Sequence, residues 1–468
     1  MDSVRLSDES TDQSLATTNN GMDCHGETPR NDRTIVGVEM NQTLRIFLLT
    51  IVALSLAGFA FAEEPAWKAS LSVGEEYNDN TDEEKNGRED FITSVRPSLS
   101  YEREGERFLF QSAYSGDYRF YAKNTQDEEF NHNLNVHALL NAWEDFFFLD
   151  LTDTYRLVNE DRTRGDTLRD NPSQGLDQDN PYTQGDLRQD NSQSLVQQNT
   201  FTFSPYITPR FGERGQAKIG YAYSNIWYDD SDKDSKDIHR GFVDTDYELT
   251  ERAALLSGYS YTQELSEDDT LHRHIAYLGG RYAYAETGSV FLKAGPQYTR
   301  YQDRDTSSTS LYWDAGLDHD FGAVQLSLSS GISFEDDPDT GQTYERRYGT
   351  LRLSKAWERT TASVYTTLED YEEDSGVDND GESVRRTVIG LNISRELTSR
   401  LTGTLGLSHD FEDSDENTKR WYASLGLTYA LSEKLSLGGW YRFKDSTSDD
   451  EDEEFRVNRV GIQLTYAF

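Results

Sequence analysis

From Trp67 to Phe468 apolar and polar side chains alternate in segment after segment, and the alternation is unbroken over the last nine residues, Val460 to Phe468. A period of two puts successive side chains on opposite faces of an extended strand, so one face meets an apolar medium and the other meets water. Within 217–223, Ala217, Ile219, Tyr221 and Tyr223 share one face, and Lys218, Gly220 and Ala222 share the other. Within 435–443, Leu435, Leu437, Tyr441 and Phe443 oppose Ser436, Gly438 and Arg442. The first set in each case is expected to face the apolar side.

The strand segments are joined by short and long connections in strict turn. The short ones fall at 103–106, 143–145, 211–215, 250–252, 286–288, 320–322, 357–359, 397–399 and 431–433. The long ones fall at 79–90, 122–131, 159–193, 230–237, 266–270, 303–309, 336–343, 370–383, 410–418 and 445–454. Nineteen connections predict about twenty strands, within a range of 18 to 22, with both ends of the strand region on the short-turn side. An all-β chain of this kind satisfies its backbone groups in lipid only by closing on itself. The expected fold is a transmembrane antiparallel up-and-down β-barrel with short periplasmic turns and long acidic extracellular loops. A repeated adhesive β-structure is the architectural alternative, disfavoured because no motif recurs at a fixed spacing. Pro97, Pro205, Pro209 and Pro296 fall within or near the strands, and are expected at bulges or strand ends because proline cannot donate to a ladder.

Ahead of the strands, residues 46–61 form an apolar run preceded by Arg45, and Ala60-Phe61-Ala62 has the small-x-small form of a signal-peptidase site. The expected organisation is therefore a non-native or disordered extension over 1–39, a signal peptide over 40–62 cut between Ala62 and Glu63, and a barrel over 63–468. A retained signal anchor is the competing reading, but the run is shorter than the roughly 20 apolar residues needed to cross a bilayer.

Composition sharpens this picture. The mean hydropathy of −0.79 would ordinarily indicate disorder, yet the chain is 12% aromatic, which suits a barrel with aromatic girdles and a polar interior. The single cysteine, Cys24, precedes the export signal, so disulfides, thiolate metal sites and haem attachment are not expected in the mature chain. No cofactor is expected, nor a nucleic-acid partner. Catalysis is not expected either, because no Gly-x-Ser-x-Gly elbow is present. Of the histidines only His272 and His274 are close together; they share a strand face but supply two metal ligands where three or four are needed. Asp378-Asn379-Asp380-Gly381-Glu382 has the look of a calcium loop, but Gly376 and Thr387 stand where an EF-hand needs acids.

A barrel of this size would enclose a channel unless something fills it. The longest loop, 159–193, is the expected constriction through Arg162, Arg164, Asp166, Arg169 and Asp170, weighed against a merely solvated loop. The long loops 79–90, 370–383, 410–418 and 445–454 carry net charges of −4, −7, −5 and −7 in a chain of net −40. A mouth of that sign concentrates cations within a Debye length of about 8 Å, so a conducting barrel is expected to prefer them. The alternative is a solvated or divalent-binding coat beside lipopolysaccharide.

The terminal strand, with Ile462, Leu464, Tyr466 and Phe468, resembles the C-terminal signature that outer-membrane barrels present to the barrel-assembly machinery. The opening of the barrel, Leu71 to Asn80 with Tyr77-Asn78-Asp79-Asn80, followed by Asp90-Phe91 and Pro97, is similar to the β-barrel porin 2 family linked to exopolysaccharide loci of the exosortase type. The resemblance implies an outer-membrane barrel serving the passage of small hydrophilic solutes or polysaccharide, with outer-membrane lipid, lipopolysaccharide and exopolysaccharide export components as partners. A non-conducting adhesive or structural surface protein, or a sheath around a partner, is the alternative function. The resemblance brings no catalytic residues.

Overall fold

In the computed structural model the described residues are 66–159, 195–230, 232–266, 269–336, 338, 343–373, 383–414, 417–450 and 454–468. Their regular structure is entirely strand. In chain order the elements are β1 (Ala66–Asn78), β2 (Asp90–Gly105), β3 (Phe108–Tyr121), β4 (Glu129–Trp143), β5 (Phe147–Asn159), β6 (Leu195–Ile207), β7 (Arg210–Phe211), β8 (Gly215–Tyr228), β9 (Lys236–Thr250), β10 (Ala253–Leu265) and β11 (Thr270–Ala285). They continue as β12 (Gly288–Tyr301), β13 (Thr306–Asp320), β14 (Gln325–Asp336), β15 (Thr343–Trp357), β16 (Thr360–Glu373), β17 (Ser383–Thr398), β18 (Leu401–Asp413), β19 (Thr418–Ala430), β20 (Leu435–Ser448) and β21 (Phe455–Ala467).

Each strand pairs antiparallel with its neighbours, and β21 returns to β1 from Ser70–Ala467 to Asn78–Arg459, closing the sheet. β6 and the two-residue β7 both pair with β8, so they are one wall strand broken at Thr208-Pro209. The barrel therefore has twenty wall strands, and all nineteen connections fall where the alternation places them. Full closure removes the free edge that lipid would penalise.

The prolines depart from expectation. Only Pro209 sits at a strand break. Pro97, Pro205 and Pro296 lie mid-strand: each remains in register with one neighbour, opposite Leu71, Leu149 and Leu311 respectively. On the other side the ladder skips two positions and resumes without a register shift. A proline lacks one donor, so the loss is confined to one side of the strand. At Pro296 the neighbouring Gly295 lets the chains approach closely, since a Cβ there would sit 1.9 Å from the Ala276 carbonyl oxygen.

The outward face carries Leu71, Val73, Leu278, Leu292, Leu311, Leu425 and Ile462, all exposed as a lipid-facing surface requires. Ile219, Tyr221, Leu437 and Tyr441 are exposed on this face as expected, whereas Ala217 and Tyr223 share it but are buried. Two aromatic belts flank the apolar band. The turn-side belt includes Trp67 against Tyr101 at 4.3 Å, Trp143 against Phe146 at 5.6 Å, and Phe211 stacked on Tyr247. The loop-side belt takes in His272 and His274, which do share an outward face: Tyr261 and Tyr259 lie 2.8 Å from their Nδ1 atoms. These histidines are the polar tips of an aromatic belt, and among the described residues no three potential metal ligands converge.

Candidate functional site

The complementary face of every strand looks into the lumen, and its chemistry changes with height. Towards the turns, inward residues such as Thr152, Glu248 and Arg281 are exposed. Towards the loops many inward side chains are buried, and charged residues are prominent among them. A ladder of ion pairs runs along this wall. Arg346 on β15 donates from Nε to Glu369 on β16 at 2.8 Å and lies 3.3 Å from Glu335. Arg386 on β17 places Nη2 2.7 Å from Asp410 on β18 and Nη1 3.5 Å from Glu369. Arg420 on β19 reaches Glu412 at 2.7 Å.

The ladder resumes on the other side of β20. Lys444 and Arg459 both hold Glu83, at 3.0 and 2.8 Å. Glu76 on β1 takes Arg119 at 3.4 Å, and Asp117 takes Arg96 at 3.1 Å. Period-two alternation places all of these except Glu83 on one face, and the antiparallel register brings unlike charges side by side. Each charge has a partner, and most are buried, the condition under which a buried ion is tolerated.

Glu83 is not a strand residue. It reaches the lumen because the first long loop folds inward, with Asn80, Thr81, Asp82 and Glu83 all buried. Arg88 clasps this loop, donating from Nε and Nη2 to both oxygens of Asp82 at 2.8 Å, while the Thr81 amide donates to the Arg88 carbonyl at 2.7 Å. The clasp holds the Asp82 carboxyl below the ordinary carboxylate range, chiefly through the Arg88 hydrogen bonds. Glu83 itself has a φ of 53°, a left-handed backbone that aims its side chain away from the loop path.

Two hairpins also lean into the outer mouth. The ladder between β13 and β14 runs only from Asp320–Gln325 to Asp314–Gly331, although both strands continue beyond it. Past Gly331, β14 and β15 pass inside their neighbours. Phe334 lies under the Arg273 guanidinium of β11 at 3.5 Å, Glu345 accepts from Gln297 of β12 at 2.9 Å, and Thr343 accepts from Lys236 of β9 at 3.2 Å and donates to Glu264 of β10. The β4–β5 ladder likewise stops at Leu134–Tyr155, and Gln197 of β6 donates to Asn131 of β4 at 3.1 Å. Two apolar clusters lie at this level: Val158, Val196, Ile226 and Tyr228, and Tyr344 with Tyr371 and Val384.

The residues named from the sequence as a constriction, Arg162, Arg164, Asp166, Arg169 and Asp170, lie outside the described residues, as do Ala60, Ala62 and Glu63. What narrows the described lumen is the charge ladder, the inward first loop and the β14–β15 hairpin. Alternating charges at inward positions signalled a polar wall, but their partners follow only from strand register. Ile462, Leu464, Tyr466 and Phe468 all point outward and are exposed on the closing strand, where Leu464 stands opposite Val73 and the Phe468 amide donates to the Ala69 carbonyl at 3.0 Å.

This is a closed barrel, apolar outside and polar inside. Residues 356–468 match the family described as Putative beta-barrel porin 2. The matched segment runs from the end of β15 to the closing strand, and so contains Glu369, Arg386, Asp410, Arg420 and Arg459 of the charge ladder. Over that segment the chain is similar to a β-barrel porin family. No curated protein matches it. Among solved structures it is similar to the FrpB iron transporter from Neisseria meningitidis (F5-1 variant), at 11% identity over 89% of this chain and 84% of that one, with a TM-score of 0.48. It is also similar to the siderophore receptor PirA from Pseudomonas aeruginosa, at 11% identity over 87% and 81%, TM-score 0.45, and to the anion-selective porin from Comamonas acidovorans, at 13% identity over 86% and 100%, TM-score 0.39. No solute follows from likenesses this distant.

Proposed function

We propose that the chain conducts small hydrophilic solutes or a polysaccharide strand across the outer membrane, with selection made at the outer mouth and a preference for cationic species. The observation that carries this reading is the inward face itself: open and polar near the turns, narrowed near the loops by paired charges. The ladder alternates in sign, so it contributes little net charge to the passage. The sign of the mouth comes instead from the acidic long loops, including Asp79, Glu84 and Glu89 of the first and Asp449, Asp450 and Glu454 of the last. In this reading residues 40–62 direct export and Glu63 begins the mature chain. The assembly machinery reads Ile462, Leu464, Tyr466 and Phe468, and lipopolysaccharide surrounds the loop-side belt.

Planar-bilayer recording tests the proposal. A salt gradient across refolded barrel should give a reversal potential of cation-selective sign, and neutralising the acids of 370–383 and 445–454 should reduce it. Anion preference, or an unchanged potential in the neutralised variant, removes the selectivity reading. A folded barrel that carries no current leaves the sheath or surface-protein reading in its place.

A further inference from the structure

The broken β13–β14 ladder separates two things that the sequence keeps together. On β14 the outward positions run Leu326, Leu328, Ser330, Ile332 and Phe334, and the inward positions run Gln325, Ser327, Ser329, Gly331, Ser333 and Glu335. This is the alternation of a wall strand over its whole length. Leu328 obeys it and is exposed on the outer face. Ile332 is buried, and Phe334 lies against Arg273, a lumen-facing residue. On the facing strand, Thr306–Trp313 has no ladder partner on the β14 side, although the Trp313 indole donates to Ser330 at 3.0 Å, and Leu311 is 60% exposed.

Continuing the existing register by simple alternation would set Trp313 opposite Ile332 and Leu311 opposite Phe334, both on the lipid face. It would also set Ser310 opposite Glu335 on the lumen face. The edge that would receive β14 is thus present, in register and unoccupied. The inward seat, by contrast, is imperfectly matched: the Gln297 Oε1 and Thr299 Oγ1 atoms of β12 are buried with no hydrogen-bond partner. Buried polar atoms left unpaired weaken the seat that buries them.

We propose that the described ends of the β14–β15 hairpin, Ile332–Glu335 and Thr343–Arg347, form a gate with two seats. In the lumen seat, seen here, these two segments lie across the inner faces of β9 to β12 and narrow the outer mouth. In the wall seat β14 completes its ladder with β13, Ile332 and Phe334 turn to lipid, and the contacts of Lys236, Glu264, Arg273 and Gln297 with the hairpin are released into the channel. The two seats exchange one set of backbone and apolar contacts for another, which is the requirement for a two-state element. The hinge is Gly331, where a Cβ would stand 3.1 Å from the Tyr348 hydroxyl and 3.3 Å from the Trp313 carbonyl oxygen. The channel role of this gate rests on the conducting reading above; its two seats do not.

Cysteine pairs test it, because the chain has the single native Cys24, replaced by serine throughout. Leu311→Cys with Phe334→Cys closes a disulfide only in the wall seat, and Gln297→Cys with Glu345→Cys only in the lumen seat. Both pairs should oxidise in folded barrel, judged on gels by heat-modifiable migration. Ser310→Cys with Glu335→Cys is a second wall pair should the first impair folding. Wall-seat cross-linking should raise single-channel conductance, lumen-seat cross-linking should lower it, and reductant should reverse both. Folded barrel in which neither wall pair oxidises while the lumen pair does so fully overturns the gate and leaves a fixed constriction. Cross-linking is read without current, so a barrel that oxidises at both seats but never conducts sinks the channel reading and not the two seats.

Discussion

Replacing Arg386 with methionine is the sharpest test of the lumen ladder. The Arg386 Nε lies 3.0 Å from both Asp410 oxygens, Nη2 lies 2.7 Å from one of them, and Nη1 is 3.5 Å from Glu369. The side chains of both acids are 1% exposed. Methionine keeps most of the stem's packing and removes the charge. Glu369 then retains Arg346, but Asp410 is left with Arg420 at 4.0 Å. Removing one partner of a buried pair strands the other charge and costs about 3 to 5 kcal/mol, so Arg386→Met should lose roughly that much. The double variant Arg386→Met with Asp410→Asn should recover a large share, because no carboxylate is then left uncompensated by the first change. The assay is urea-dependent unfolding in lipid vesicles, followed by heat-modifiable migration and tryptophan fluorescence. A single variant within about 1 kcal/mol of the parent, or a double variant no more stable than the single, would refute the view that the ladder holds the mouth through paired charge.

Three further outcomes are expected. Leu464→Arg on the closing strand should destabilise the barrel by about 2 to 4 kcal/mol if the position lies near mid-membrane, checked by the abundance of folded protein in the outer membrane. The Asp82–Arg88 clasp should loosen in acid: the folded carboxyl titrates below its unfolded value, so the clasp's contribution is full above the ordinary carboxylate pKa of about 4 and is lost as the pH falls through the lower folded value. The protection of the Thr81 amide against hydrogen exchange, relative to its intrinsic rate at each pH, should report that loss, and Asp82→Asn should flatten the acid-dependent fall in that protection. N-terminal sequencing of outer-membrane material should begin at Glu63, and any peptide from residues 1–39 in the mature protein would contradict the proposed export route.

Strand number and placement were legible because each connection is a break in a period-two pattern, and short breaks alternate with long ones. The lumen ladder was legible only in part. That Arg386, Asp410 and Arg420 face inward follows from parity, but which acid meets which base depends on register between strands, and register is set by the summed pairing of whole strands. Glu83 was hidden for a different reason: loops carry no parity, and an acidic loop reads the same whether it floats or folds inward. Ile332 and Phe334 show the limit of alternation, since they follow the lipid-facing pattern and are found inside. Pro97, Pro205 and Pro296 sit mid-strand because a proline loses its donor on one side only, and a strand laddered on its other side tolerates that loss.

The Ser72 hydroxyl lies 2.9 Å from that of Thr465, a contact between the first strand and the last. The barrel is thus sealed by partners that could hardly stand further apart along the chain, and every intermediate short of that seam exposes two raw sheet edges. Such species are sticky and accessible to proteases, whereas the finished cylinder offers neither edge nor slack. Closure thus also acts as a check on the whole chain: loss of either terminal strand removes half of this seam and leaves the sheet with an unpaired edge.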